Sequence, residues 1–135
     1  MLKNTIIDNE FITLWYHPIE KIIHHQFHKK TIYGQIFRDA LNTGAEILKE
    51  NSACKWLSDD RTHIIFSEED LVWGSKEWAP KVFGYGWKYW AMVRPTEQIG
   101  RMNFERITHE FKSRGLTIEY FDDVEKAFEW LCKCK

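Results

Sequence analysis

Ala53-Cys54-Lys55-Trp56-Leu57-Ser58 and Trp87-Lys88-Tyr89-Trp90-Ala91-Met92-Val93-Arg94 are the two stretches on which the architecture turns. The second is almost continuously apolar or aromatic and stands between Gly86 and Pro95, so it reads as a strand covered on both faces. The first is shorter and leaves into the acidic loop Asp59-Asp60-Arg61-Thr62. Between them Ser67, with Asp70 three residues on, resembles a capping box and opens a helix from Glu68 to about Ala79. On a helical wheel Leu71, Ser75, Trp78 and Ala79 share one side, and Trp73 falls on the other. Pro80 breaks or kinks that helix, or starts a short second one, and Gly84 and Gly86 stop it. Strand, helix, strand in that order predicts a parallel pair joined by a right-handed crossover.

The same grammar extends in both directions. Phe11-Ile12-Thr13-Leu14-Trp15-Tyr16 is rich in β-branched and aromatic residues and reads as a strand. A turn through His17-Pro18-Ile19-Glu20 leads to a second strand over 21–28, and so short a connection requires an antiparallel pair. Thr31 then caps a helix running to about Glu50, with Ile32, Ile36, Ala40, Ile47 and Leu48 as its stripe and Phe37, Leu41 and Gly44 widening it. Downstream, a helix over 100–114 closes at Gly115, and a strand follows over 116–121. Asp122 or Asp123 caps a last helix, where Val124, Ala127, Phe128 and Leu131 keep the i, i+3, i+4, i+7 spacing. The expectation is one α/β domain over 1–135, with its core over about 11–131. Its sheet is mixed and five-stranded, in the order β-β-α-β-α-β-α-β-α.

That order, together with Lys55-Trp56-Leu57-Ser58-Asp59-Asp60-Arg61, Trp78-Ala79-Pro80, Gly86-Trp87-Lys88-Tyr89-Trp90-Ala91 and Ala127-Phe128-Glu129-Trp130-Leu131, resembles the STAS superfamily. These are the bacterial anti-sigma-factor antagonists and their uncharacterised bacterial relatives, and the likeness spans about Phe11 to Leu131. The resemblance implies a mixed sheet with helices and, in regulatory members, no intrinsic enzymatic activity. It also implies kinship with lipid-binding domains of the CRAL-TRIO kind. In regulatory members a serine just after the third strand is phosphorylated to release a protein partner. The Asp-Ser-Ser-Gly type motif expected there is absent: the region reads Ser58-Asp59-Asp60-Arg61, with a loop on to Ser67.

Composition narrows the function classes. The 135 residues are 44% apolar and 29% charged, ordinary for a globular domain, but 16% are aromatic and seven are Trp. Nineteen basic and 20 acidic residues give a formal net charge of −1, without the dominant basic face that phosphate binding demands. No nucleic-acid partner is expected. Three Cys argue against a disulfide framework and for a reducing compartment. Residues 1–20 hold Asp8, Glu10 and Glu20 and no continuous apolar stretch, so neither a signal peptide nor membrane insertion is expected. The default location is cytoplasmic.

Each candidate site carries a plain structural reading beside the functional one. Ser58, Asp59, Asp60 and Arg61 lie at the carboxyl end of a parallel strand, where open α/β sheets place ligands. They read as a partner- or ligand-binding cluster, or else as a turn in which Arg61 pairs with one Asp. As phosphorylation positions, Ser67 suits a helix N-terminus while Ser58 sits beside two acids; simple helix capping is the preferred reading of Ser67. His24 and His28 share one strand face and His25 takes the other, so His24-His25-x-x-His28 reads as a strand face better than as a zinc site. Cys132 and Cys134 lie about 200° apart on a helix, too far round for a shared ligand or an easy bridge. Cys54 reads as an interior strand residue. Trp73, opposite Trp78, is either a partner-facing aromatic or covered by the loop over 63–66. No Gly-rich phosphate loop or local catalytic signature is present, and neither metal nor cofactor is expected.

The leading expectation is a non-catalytic regulatory or protein-interaction domain, acting on a protein partner or as a homodimer. Its working surface would be Ser58–Arg61 with the helix bearing Trp73. The alternative is a carrier of a lipid or other apolar small ligand in a pocket lined by Trp78, Phe83, Tyr85 and Trp90. A third reading is an enzyme using Asp59 or Asp60 as base or metal ligand.

Overall fold

In the computed structural model, which describes residues 2–63 and 65–135, the described strands form one mixed sheet. Its strands are β1 (Asn4–Asp8), β2 (Ile12–His17), β3 (Ile22–Phe27), β4 (Lys55–Asp59), β5 (Tyr89–Val93) and β6 (Thr117–Phe121), lying side by side in chain order. The first three pair antiparallel, and β3 through β6 pair parallel. The five-strand expectation is therefore corrected to six by β1. Thr5-Ile6-Ile7 has the β-branched composition of a strand, but its side chains are mostly exposed and a bulge interrupts its pairing with β2. Asn9 makes the hairpin behind it, its Oδ1 accepting from the backbone N–H of Phe11 and Ile12 at 2.8 and 3.0 Å.

Alternation along the strands divides the sheet into two faces. Leu14, Ile23, Trp56, Trp90, Met92 and Ile118 face α1 (Gln35–Glu50), the helical run of residues 68–84 and α4 (Gln98–Ser113). Ile22, Leu57, Ala91 and Val93 face α5 (Val124–Lys133), whose Ala127, Phe128 and Leu131 close a smaller cluster. A strand order that never reverses, with every crossover turning the same way, puts all three crossover segments on one face. The last helix, which leads to no further strand, covers the other. Two unequal layers of core result.

The caps follow local chemistry. Ser67 Oγ accepts from Asp70 N–H, Asp123 Oδ1 accepts from Lys126 N–H, and Gly115 takes a φ of 102° after α4. Asp70 does not close the expected box. Its buried carboxylate accepts from the N–H of Gly34 at 2.7 Å and from Arg38 Nε at 3.0 Å, pinning the start of α1 to the next helix. Thr31 is thus not the cap of α1, and pairs instead with Ile65 in an isolated parallel bridge. The helix begins only after Gly34, whose φ of 70° suits a residue without Cβ. Its buried stripe is Phe37, Ala40, Gly44, Ala45 and Leu48, leaving Ile36 exposed, so the expected stripe was one residue out of phase at its start.

The run over 68–84 is α2 (Glu68–Trp73), a π-helical turn (Gly74–Trp78) and α3 (Ala79–Gly84), continuous in backbone direction. The wider turn, in which Ala79 N–H reaches back to the Gly74 carbonyl, precedes Pro80. Continuing that pattern would ask Pro80 for an N–H to the Ser75 carbonyl, and proline has none. Arg114 Nη1 supplies the donor to that carbonyl from α4 at 3.0 Å. No helix of the described residues is long and apolar enough to cross a membrane.

Candidate ligand cavity

Between the sheet and its three crossover segments lies a cavity of about 380 Å³, within the range of small-molecule sites. Its floor is the face of the sheet: His25 and Phe27 of β3, Trp56 and Ser58 of β4 with Asp60 just beyond its carboxyl end, and Trp90 near the start of β5. Trp78, Leu71, Phe104 and Phe111 wall it from the helices. Exposed Glu68, Val72, Lys76, Arg106 and Glu110 place its mouth between the α2–π segment and α4. The walls are largely aromatic. Trp56, Trp78 and Trp87 meet mutually with ring centroids 5.4–5.8 Å apart, and Trp90 lies 5.7 Å from Trp87.

Charged side chains rim the mouth, while the buried polar groups lie in and beside the floor, where their hydrogen bonds are specific. Trp56 Nε1 donates to His25 Nδ1 at 2.9 Å. An indole N–H is a donor only, so His25 Nδ1 is an acceptor and the ring is the neutral tautomer protonated at Nε2. That N–H faces Asp60 Oδ1 at 3.4 Å. Trp90 Nε1 donates to Ser58 Oγ at 2.6 Å. Asp60 N–H is anchored to the Val93 carbonyl at 3.0 Å, and the residue is 2% exposed, yet its Oδ2 has no hydrogen-bond partner. Beside it His63, wholly buried between Phe27 and Phe66, sets its Nε2 against the Ile65 carbonyl at 3.1 Å. Burial pushes the His63 pKa down to about 4, against the opposing pull of Asp60, so this imidazole too is neutral near pH 7.

Ser58, His25 and Asp60 are the residue types of a hydrolytic triad, but the wiring differs from one. The His25 nitrogen that would take a proton from serine is occupied by Trp56, and Ser58 Oγ is held by Trp90. The arrangement supplies Ser58 with no base. What it offers is an apolar chamber whose lining residues hold two buried acceptors without a partner, Asp60 Oδ2 and His63 Nδ1.

The residues singled out from sequence separate accordingly. The strand runs on through Asp59, so Ser58 and Asp60 face the cavity while Asp59 faces the α5 side. There Asp59 accepts from Arg61 Nε at 2.8 Å and Nη2 at 2.6 Å. The Arg61 side chain is 44% exposed, and its pKa is raised chiefly by the hydrogen bond to Asp59. Ser58, 1% exposed, is a floor residue and not a surface hydroxyl. Trp73 is half-buried, edge-on to Phe37 at 6.4 Å with Arg38 over its ring, so α1 covers it rather than the loop after His63. Of the expected pocket, Trp78 and Trp90 line the cavity; Phe83 instead stacks on Trp87, and Tyr85 lies against Lys49. Ser67 is the α2 cap.

The histidine cluster splits the same way. His24, 3.1 Å from His17, belongs to the α5 face, and burial lowers its pKa to about 3. His28 Nε2 meets Thr13 Oγ1 at 2.7 Å. No group of three or more metal-ligating residues occurs among the described residues. Cys54, Cys132 and Cys134 are free thiols, with Cys132 exposed and Cys134 just past α5.

Sequence reasoning missed His25, His63, Phe66, Phe104 and Phe111 as site residues. A signal for His25 was present: it alternates with Ile23 and Phe27, so a polar ring was bound to point at the core. The others come from a loop and from α4, and nothing local in them announces the chamber. No family model matches the sequence, and neither the curated proteins nor the solved structures contain a match to it.

Proposed function

We propose that this chain is a non-catalytic binding domain, STAS-like in its order of elements, that holds a small, largely apolar molecule between its sheet and crossover helices. The carrying observation is the 380 Å³ aromatic chamber between the sheet face and the crossover helices. Natural interiors are close-packed, and an apolar cavity of this size leaves part of its aromatic lining without dispersion partners until an apolar molecule fills it. Retaining it in a 135-residue domain is accounted for by a ligand that restores those contacts.

The test is titration with the neutral fluorophore N-phenyl-1-naphthylamine, read by energy transfer from tryptophan. One equivalent should bind, and Leu71→Trp, which fills the chamber from α2, should weaken binding at least tenfold while the far-ultraviolet circular dichroism stays unchanged. Absence of binding, or equal binding by the filled variant, would refute the proposal.

A further inference from the structure

Asp60 sets a constraint on what the chamber accepts. Asp60 is a lining residue of the cavity, and its Oδ2 is buried and has no hydrogen-bond partner. A buried carboxylate oxygen left in this state costs free energy until a donor reaches it. Nor is the charge compensated. Among the described residues, the ion-pair partner of Asp60 is His25 alone, and that ring is neutral because Trp56 donates into its Nδ1. No lysine or arginine of the described residues pairs with Asp60. The cationic side chains lining the chamber, Lys76 and Arg106, are exposed on the helices. By contrast Asp59, one residue earlier, has a bidentate guanidinium, and Asp70 has Arg38 and a backbone N–H. Asp60 alone of these three buried acids is left waiting, and it is the one in the cavity floor.

We propose that the ligand carries a protonated amine on its apolar body, and that Asp60 Oδ2 is the acceptor for that ammonium. The proposal rests on the cavity reading above and adds the head group. A neutral hydroxyl would satisfy the hydrogen bond but leave the buried charge unbalanced; an ammonium supplies both. Trp56, Trp87 and Trp90 line the same cavity, and indole rings suit a cation as well as a hydrocarbon chain. Acidic ligands, including fatty acids, are disfavoured because their carboxylate would meet that of Asp60.

Calorimetric titration of the full chain at pH 7 with 4-phenylbutylamine and with 4-phenylbutan-1-ol separates the two layers of the argument. The amine should bind at least tenfold more tightly than the alcohol. Asp60→Asn should abolish that preference, with the amine losing at least tenfold more affinity than the alcohol. Equal affinities for amine and alcohol, or preference for the alcohol, would overturn the head-group proposal and leave the cavity reading standing. Failure of both to bind would overturn the cavity reading with it. Should Asp60→Asn not fold, the amine-to-alcohol ratio of the unaltered protein decides the matter by itself.

Discussion

Asp59 and Asp60 are adjacent in sequence and opposite in consequence. Strand alternation sends the first to Arg61 on the α5 face and the second into the cavity floor without a cation. Their neutral isosteres should therefore behave differently. Asp60→Asn keeps an acceptor for His25 Nε2–H and removes an uncompensated buried charge, so the unliganded protein should be as stable as before or gain up to about 2 kcal/mol. Asp59→Asn breaks a bidentate pair and should cost about 1 kcal/mol, a modest figure because Arg61 is well exposed. Urea midpoints of the two variants check this, and a large loss for Asp60→Asn would contradict it. The sequence displayed both carboxylates and their place after a strand. It did not reveal which side each took, because that depends on whether the strand ends at Ser58 or continues one residue further.

Among the elements, α1 approaches the sheet closely at Gly44. A Cβ built there would stand 2.5 Å from Cη2 and 2.8 Å from Cζ2 of Trp56. Gly-to-Ala in a helix interior normally gains about 1 kcal/mol from propensity. Here the neighbour is a buried indole tied to His25, so Gly44→Ala should instead destabilise by about 1–3 kcal/mol and disturb the cavity floor. Thermal unfolding and binding of N-phenyl-1-naphthylamine should both register the change; a more stable variant would show that α1 does not press on Trp56. The elements were the most legible part of the fold. Caps at Ser67 and Asp123, the stop at Gly115 and the alternation of strands with helices are local chemistry, readable from neighbouring residues. The phase of α1, the edge strand β1 and the π turn are not local. The first is fixed by Asp70 from a distant helix, the second by pairing rather than burial, and the third by Pro80 together with Arg114 of α4.

For the molecule as a whole, buried neutral histidines set the response to acid. Burial lowers the pKa of His24 to about 3 and of His63 to about 4, from an ordinary value near 6.5. In the unfolded chain both rings take a proton as pH falls through about 6.5, while the folded protein keeps them neutral. Their contribution to stability is thus fully present above about pH 6.5. It falls by about 1.4 kcal/mol per pH unit for each ring until the folded-state values are reached. Urea midpoints at pH 7.5 and 5.0 should show the drop, and His24→Asn should flatten it. A midpoint independent of pH over that interval would mean the rings are not buried as described.

The cavity is where these scales meet, and the seven tryptophans report on it directly. Trp56, Trp78, Trp87 and Trp90 line it, whereas Trp15 and Trp130 contact residues of the α5 face and Trp73 lies against α1. Titration with 4-phenylbutan-1-ol, followed through the assigned indole N–H resonances, should shift Trp56, Trp78, Trp87 and Trp90 together and saturably, leaving Trp15 and Trp130 in place. Shifts confined to Trp15, Trp73 or Trp130, or none at saturating alcohol, would show that the space between sheet and crossover helices is not a binding site.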